Sequence, residues 1–510
     1  MTRQIAALSF DVQRQIALMV TRGGEVAYVI VGDISHILLP PLGRFRSGPG
    51  RLRGLRCIHT HLRGEPLSQE DISDLLLMGL DLMASVQVGK DGIPGPISYA
   101  HILPENHRGE GWQIWTVPDG GHLRLDCQKL IQSLEDELAR SSSSRHLEEK
   151  EKALLVAVST GPAWQVGESL EELRELALSD DLYVVDTVIQ PIKRAHPRFL
   201  MGKGKLSELV LKCLQTGADI LVFDDELSPA QVKNLTDETD LKIIDRSQLI
   251  LDMFAKRAVT REGKIQVELA QLRYLLPRLS TKSTALSRLT GGIGGRGPGE
   301  TKLEINRRRV RNRIARLNRE LAGVKQQREI QRKLRNARNL PVISIIGYTN
   351  AGKSTLLNSL TQSHVPVGNR LFATLDPTSR RLRFPREREV IITDTVGFIR
   401  NLPKDLIHAF GATLEQLYDA DLMLHVADAS NPRMEKQIGA VDRILNQLSL
   451  EKIPSLLVLN KTDLLAQQEV KGLAGTYGGI PISAQDPSTF GYLLEEMERL
   501  IWSRSSKGKI

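Results

Sequence analysis

The feature that most constrains this chain is an eight-residue turn, Gly347-Tyr348-Thr349-Asn350-Ala351-Gly352-Lys353-Ser354. It lies between an apolar run, Val342–Ile346, and a helix-forming stretch, Thr355–Leu360. The pattern G-x-x-x-x-G-K-[ST] in that setting requires a strand, a tight loop and a helix in succession. The two glycines let the main chain wrap an anion and turn its N–H groups inward. Lys353 adds a compact positive charge suited to terminal phosphates, and Ser354 a hydroxyl suited to Mg²⁺, which prefers oxygen ligands. Further apolar runs of strand length occur at Glu389–Thr393, Leu422–Ala427 and Leu456–Asn460. Buried parallel strands look like this, so residues 341–503 are expected to form an α/β domain around a parallel sheet.

The base is read from a second motif. Asn460-Lys461-Thr462-Asp463 follows the strand Ser455–Leu459, about 110 residues after the phosphate loop. A carboxylate such as Asp463 can accept hydrogen bonds from the ring N–H and the exocyclic amine of guanine. Adenine presents neither donor and would leave the carboxylate unpaired, which is costly in a buried site. The expected ligand is therefore GTP. Ser483-Ala484-Gln485, after the strand-like Ile480–Ile482, would back the base with main-chain N–H groups.

Two segments between these motifs are candidates for sensing the terminal phosphate. In Asp394-Thr395-Val396-Gly397, Asp394 would meet Mg²⁺ through water and the Gly397 N–H would meet the γ-phosphate. In Phe372-Ala373-Thr374-Leu375-Asp376-Pro377, Thr374 is the expected second magnesium-binding hydroxyl, with Thr378 as its rival. Lys353, Thr374 and Gly397 are thus the expected catalytic set, and Ser354 and Thr374 the expected metal ligands. Phe398 stands where Ras-like enzymes carry the glutamine that orients water. A phenyl ring cannot do that, so intrinsic hydrolysis should be slow and dependent on a partner or a cation. Asn350 either offers a carbonyl to a monovalent cation or simply stabilises the turn.

Charge points to the partner. Residues 301–340 hold 14 Lys or Arg against three Glu, a local net of +11, whereas the whole chain is only +9. A polyanion is the expected ligand of such a block. The block falls on the second of two heptad seams: Ile265, Leu269, Leu272, Leu276, Leu279, and Val310, Ile314, Leu317, Leu321, Val324. The Gly-rich stretch 290–299 separates them and cannot continue either helix. An antiparallel helical hairpin over 258–340, with that loop at its tip, is expected. Residues 280–340 contain no Phe, Tyr or Trp on which bases could stack, which favours recognition of RNA shape and backbone over base reading.

Upstream, residues 153–257 alternate strand and helix and predict a further parallel sheet. Residues 1–110 read as a small α+β unit, with strands at 15–21 and 25–31 and a helix over 70–85. Residues 111–152 read as a linker containing a helical stretch, 123–140. The hydrophobic and charged fractions, 41% and 25%, are globular values. No apolar run approaches the roughly 20 residues of a membrane span. Three scattered cysteines, Cys57, Cys127 and Cys213, suggest neither disulfide framework nor metal knuckle. A cytoplasmic, monomeric protein is the expectation.

Taken together, these residues resemble the HflX family of translation-factor-related GTPases over about 153–503. The most specific likeness is the segment 291–304 followed by Asn306-Arg-Arg-Arg-Val-Arg-Asn-Arg-Ile314, joined by 372–378 and Asp394-Thr-Val-Gly-Phe-Ile-Arg400. The resemblance implies an N-terminal α/β domain, a helical hairpin and a GTPase domain. It also implies binding to the ribosomal RNA of the large ribosomal subunit, in splitting stalled ribosomes or in subunit biogenesis. Separately, His59, His61, Ser68 and Asp71 resemble the H-x-H…S-x-x-D zinc motif of JAMM/RadC-like domains. The spacing from His61 to Ser68 is one residue short, Leu62 replaces a proline, and no glutamate stands in the first strand. The expectation is a degenerate relative without Zn²⁺ in residues 1–110. A GTP-gated zinc hydrolase and an RNA-binding tether with incidental hydrolysis are the alternative readings.

Overall fold

The computed structural model describes the whole chain except residues 41–50, 105, 107–109, 144–149, 240, 280–301, 337–339, 362–377, 385–387, 396, 401–414 and 506–510. It divides into two compact units, Met1–Arg246 and Ser247–Ile510.

The first unit holds two sheets. Strands β1 (Ile16–Thr21) and β2 (Val26–Val31) form the expected hairpin. They join β3 (Leu55–His61), β4 (Leu82–Val88), β5 (Pro94–Ile102) and β6 (Trp112–Val117) in the order β2-β1-β3-β4-β5-β6. Only the β3–β4 pair of that sheet is parallel. Helix α1 (Thr2–Val12) precedes the sheet and α2 (Gln69–Met78) links β3 to β4. Helix α2 stops where Gly79 adopts φ 58°, a left-handed cap that glycine tolerates without steric cost. The expected helix over 70–85 therefore overran: Leu82–Ser85 is strand. The apolar run Leu75–Met78 and the Leu80 and Leu82 beyond Gly79 give no clear periodicity by which to find that break.

The expected linker is also structured. Trp112–Val117 is the edge strand β6, antiparallel to β5. Helix α3 (Cys127–Ser143) buries Ile131, Leu134 and Leu138 in the core formed by Met19, Leu55, Leu75 and Met83. Arg22 pins it further, with Nη2 2.8 Å from Glu135 Oε1 and Nε 2.6 Å from Asp81 Oδ2.

The second sheet of this unit is wholly parallel, in the order β10-β9-β7-β8: β7 (Lys152–Ser159), β8 (Tyr183–Pro191), β9 (Ile220–Phe223) and β10 (Lys242–Asp245). Helices α4 (Ala163–Ser179), α5 (Lys203–Thr216) and α6 (Pro229–Glu238) connect the strands, as the alternation predicts. The buried Arg246 guanidinium ties two of the connections together, 2.6 Å from Glu172 and 2.8 Å from Asp224.

In the second unit, α7 (Arg246–Arg257) leads to the two seam helices, α8 (Arg261–Leu279) and α9 (Lys302–Asn336). Ile265 and Leu269 pack on Leu317, flanked by Leu272, Ile314 and Leu321. Arg261 faces Glu320 at 3.9 Å and Glu268 faces Arg313 at 2.6 Å, a pairing that runs in opposite directions along the two helices. The hairpin is therefore antiparallel, as its seams predict. Its expected tip, 290–299, lies outside the described residues.

The rest of this unit is a six-stranded sheet: β11 (Val342–Gly347), β12 (Thr378–Arg383), β13 (Glu389–Asp394), β14 (Leu422–Asp428), β15 (Ser455–Asn460) and β16 (Ile480–Pro481). Its order is β12-β13-β11-β14-β15-β16. Five strands are parallel, but β12 is an antiparallel edge that the parallel expectation missed. Ile343, Ile345, Ile392, Leu424 and Val426 form the core with Leu356 and Leu357 of α10 (Lys353–Thr361) and Met497 of α13 (Gly491–Ser505). Helices α11 (Met434–Gln447) and α12 (Gln467–Tyr477) are the other α-helices among the described residues of this domain. Strand β11 has β13 on one side and β14 on the other. The chain order thus reverses at the carboxyl end of β11, the place where open α/β sheets bind ligands.

Candidate functional site

The loop 347–352 leaves β11 at that crevice and enters α10 at Lys353. Asn350 takes a left-handed φ of 62° and Gly352 a φ of 90°. The glycine at 352 also answers a close approach, because a Cβ there would stand 2.2 Å from Asn460 Nδ2. Lys353 is buried, and its ammonium donates to the Tyr348 carbonyl at 2.7 Å. Burial pushes it down to about 8, against the pull of Asp394. The Ser354 hydroxyl donates to Asp394 Oδ2 at 2.5 Å, so two hard oxygens from opposite sides of the crevice converge there. Such a pair suits a small oxygen-seeking cation.

The segment after β13 lies against the loop. The Thr395 hydroxyl donates to the Ile345 carbonyl at 2.7 Å. The Phe398 N–H donates to Gly347 O at 3.1 Å, and the Thr349 N–H donates back to Phe398 O at 2.8 Å. Gly397 between them has no room for a side chain: a Cβ would stand 2.8 Å from Thr349 Cγ2 and 2.9 Å from Lys353 Nζ. The Phe398 ring is buried, 2% exposed, and so cannot reach a water at the crevice. Next along, the Arg400 N–H donates to the Tyr348 hydroxyl at 2.7 Å.

The third side is built by the strand ends of β15 and β16. Asn460 is 1% exposed. Its Nδ2 donates to Ala351 O at 2.8 Å, and its Oδ1 accepts from the Ala484 N–H at 2.8 Å. One amide thus clamps the phosphate loop to the 483–485 turn. Lys461 has a left-handed φ of 63° and pairs with Asp428 Oδ2 at 2.7 Å. Thr462 bonds to Ile482 O through both N–H and hydroxyl, at 3.2 and 2.8 Å. Asp463 is exposed on the next turn, Ser483 and Ala484 are buried, and Gln485 is exposed. The Ser359 hydroxyl of α10 reaches Ala484 O at 2.5 Å.

The structure therefore brings together 347–354, Asp394, Thr395, Gly397, 460–463 and 483–485. Phe372, Ala373, Thr374, Leu375, Asp376 and Val396 lie outside the described residues. Sequence reasoning missed Asp428 and His425, both on β14. Asp428 sits opposite Asn460 in the β14–β15 register, a signal visible only once the strands are paired. His425 is buried, and burial together with the nearby Lys353 charge pushes it down to about 4.

In the first unit, His59, His61 and Asp71 also meet, although the sequence departs from the zinc motif it resembles. Ser68 caps α2, its hydroxyl accepting from the Asp71 N–H at 3.2 Å.

Comparison with known proteins places this geometry. Three family models match in succession: GTP-binding GTPase N-terminal over 167–255, GTP-binding GTPase Middle Region over 257–335, and 50S ribosome-binding GTPase over 342–461. GTPase HflX of Caldanaerobacter subterraneus subsp. tengcongensis is 48% identical over 357 residues, covering 70% of this chain and 82% of that protein. This chain belongs to the HflX family of GTPases. HflX from Escherichia coli K12 is 47% identical over 302 residues, covering 59% of this chain and 71% of that one. A crystal structure of SsGBP with GDP aligns with 70% of this HflX-family chain and 99% of its own, at 24% identity and a TM-score of 0.40. Membership of the HflX family, with the GTPase model over 342–461, makes the chain a GTP-binding, GTP-hydrolysing enzyme. Among the described residues, no helix is long and apolar enough to cross a membrane.

Proposed function

We propose that this HflX-family GTPase is a switch that docks on the large ribosomal subunit and changes its grip with the state of its nucleotide. The loop 347–352 wraps the phosphates with main-chain N–H groups, and Lys353 leaves the Tyr348 carbonyl to meet the terminal phosphates. Ser354 would hold Mg²⁺, with Asp394 beside it as a further oxygen donor. The convergence of their oxygens at 2.5 Å supports that assignment. Held there, the ion would supply neutralisation of the charge on the phosphates. Thr374, which lies outside the described residues, would add a second hydroxyl to the metal, and Gly397 would present its N–H to the γ-phosphate. Asp463 reads guanine, with the 483–485 turn behind the base.

Phosphate sensing has a mechanical route. The Gly397 segment lies within contact of Lys353 and Thr349, and its neighbour Phe398 is bonded to the loop on both sides. A γ-phosphate bonded to the Gly397 N–H would hold that segment in place, and its loss would release it. With Phe398 buried, no side chain at that position orients the attacking water, so fast hydrolysis waits on the docked partner.

The observation that carries the docking is the hairpin. Its apolar seam is internal and its arginines are external: Arg309, Arg311, Arg316 and Arg319 of α9 are all exposed. Such a surface neutralises RNA phosphates and should bind with steep salt dependence. Cosedimentation with purified subunits, in GTP-analogue and GDP states at two salt concentrations, tests it. Pelleting with the large subunit only in the analogue state, weakened by salt, is expected. Equal pelleting in both states would refute the switch. Splitting of stalled ribosomes and assistance in subunit assembly are both compatible with this docking, in a cytoplasmic protein acting as a monomer.

A further inference from the structure

The phosphate loop and the segment that follows β13 are joined by more than main-chain bonds. Ile345 of β11 pairs with Asp394 of β13, and beyond the strand ends Tyr348 pairs with Phe398 in an isolated parallel bridge. Three steps on one side thus face four on the other, and the chain carries one extra residue before Phe398. Irregularities of this kind occur beside active sites, where they re-aim a group. Gly397 stands immediately before that bridge.

Tyr348 touches this arrangement at both ends. Its carbonyl accepts from the Lys353 ammonium at 2.7 Å, and its hydroxyl accepts the Arg400 N–H at 2.7 Å. The Thr349 N–H donates to Phe398 O at 2.8 Å, and the Phe398 N–H donates to Gly347 O at 3.1 Å. Three hydrogen bonds therefore tie 398–400 to 347–349. Two of them use main chain alone and would form with any residue at 348. The third needs a hydroxyl at the end of a rigid ring, which among the twenty residues is tyrosine alone.

The segment is also anchored by its own side chains, since Phe398 and Ile399 are both buried. Gly397 lies so close to the lysine that a Cβ on it would stand 2.9 Å from Lys353 Nζ. Its main chain is thus set beside the ammonium suited to terminal phosphates before any nucleotide arrives. Order supplied in advance raises affinity, because a ligand whose site is formed only part of the time binds more weakly by that fraction. GDP has no γ-phosphate to meet Gly397, so the advantage goes to GTP.

We propose, resting on the reading of Gly397 as the γ-phosphate sensor, that Tyr348 is the positioning residue of that sensor. Its hydroxyl latches Arg400, holds Gly397 ready beside Lys353 and so sharpens the choice of GTP over GDP. The latch can be cut alone, because the two main-chain bonds and the bond from Lys353 do not use the hydroxyl.

Tyr348→Phe in the full-length chain removes the hydroxyl and keeps the ring. Calorimetry with Mg²⁺ gives the dissociation constants of GDP and of a non-hydrolysable GTP analogue for parent and variant. Loss of one hydrogen bond should shift the ratio of the two constants about fivefold towards GDP. Amide hydrogen exchange over 398–400 should rise in the GDP state of the variant and return towards the parent's when the analogue is bound, while β14 and β15 keep the parent's protection. Tyr348→Leu, which also removes the ring, should show the same ratio shift on top of a loss common to both nucleotides. A residue serving stability alone would weaken both nucleotides alike and raise exchange across the domain, and that outcome overturns the proposal. If the parent's own exchange over 398–400 is the same with GDP as with the analogue, the sensor reading falls and the latch with it. A nucleotide response in the parent that Tyr348→Phe keeps in full, with the ratio unmoved, sinks the latch alone.

Discussion

Replacing Asn460 with alanine tests how the nucleotide site is assembled. The side chain is almost fully enclosed and makes two hydrogen bonds of 2.8 Å, one to Ala351 O and one from the Ala484 N–H. Asn460→Ala leaves a carbonyl and an N–H without partners, each within a residue that is itself buried. An orphaned buried group costs about 1–3 kcal/mol, so the pair costs roughly 2–6 kcal/mol. The loops can relax in the free protein, and the cost of reordering them then falls on binding. If about 3 kcal/mol does so, affinity for GDP and GTP falls by about two orders of magnitude. Calorimetry with each nucleotide measures it. A second substitution sharpens the test. In Gly352→Ala, the new Cβ would stand 2.2 Å from Asn460 Nδ2. In the Asn460→Ala background that overlap is gone and only the backbone strain at φ 90° remains. The two losses should therefore be less than additive. Additive losses, or an Asn460→Ala affinity within threefold of the parent, would refute the clamp.

Gly397→Ala should leave GDP affinity within a few fold yet slow single-turnover hydrolysis at least about tenfold, because its Cβ collides with Thr349 and Lys353. Ser354→Ala should abolish the dependence of GTP affinity on magnesium, read by titration with and without chelator. His425 has an unfolded value of 6.5 and a folded value of about 4, lowered by burial and by Lys353. The unfolded chain therefore binds a proton that the folded chain refuses, and stability drops as pH falls from about 6.5 to 4. The loss is on the order of 3 kcal/mol. His425→Gln should remove that part of the slope in denaturant titrations of the two chains at matched pH. Arg309→Gln with Arg311→Gln should lower the salt slope of RNA binding by about two phosphate contacts.

Much of this architecture was legible in the residues, for identifiable reasons. The helical hairpin was plain because Ile265, Leu269, Ile314, Leu317 and Leu321 keep heptad spacing, and a seam of that period has one way to pack. The phosphate loop was plain because its glycines, lysine and serine are dictated by local chemistry. Strand β12 was not, because Thr-Ser-Arg-Arg-Leu-Arg is an exposed edge with Leu382 its one buried side chain among those described. Helix α3 was half-read: its amphipathic pattern showed, but its docking through Glu135 to Arg22 depends on residues 113 apart. Asn460 illustrates the limit at the site. The motif marked it as a base-loop residue, whereas its amide in fact spans Ala351 and Ala484, which only the strand register brings together.

The most direct test is the rate of GTP hydrolysis by the intact chain with and without purified large ribosomal subunits, at low and physiological salt. The account predicts slow turnover alone, marked acceleration by the subunit, and loss of that acceleration at high salt and in Lys353→Ala. A rate that the subunit leaves unchanged, while the chain binds GTP normally, would contradict it.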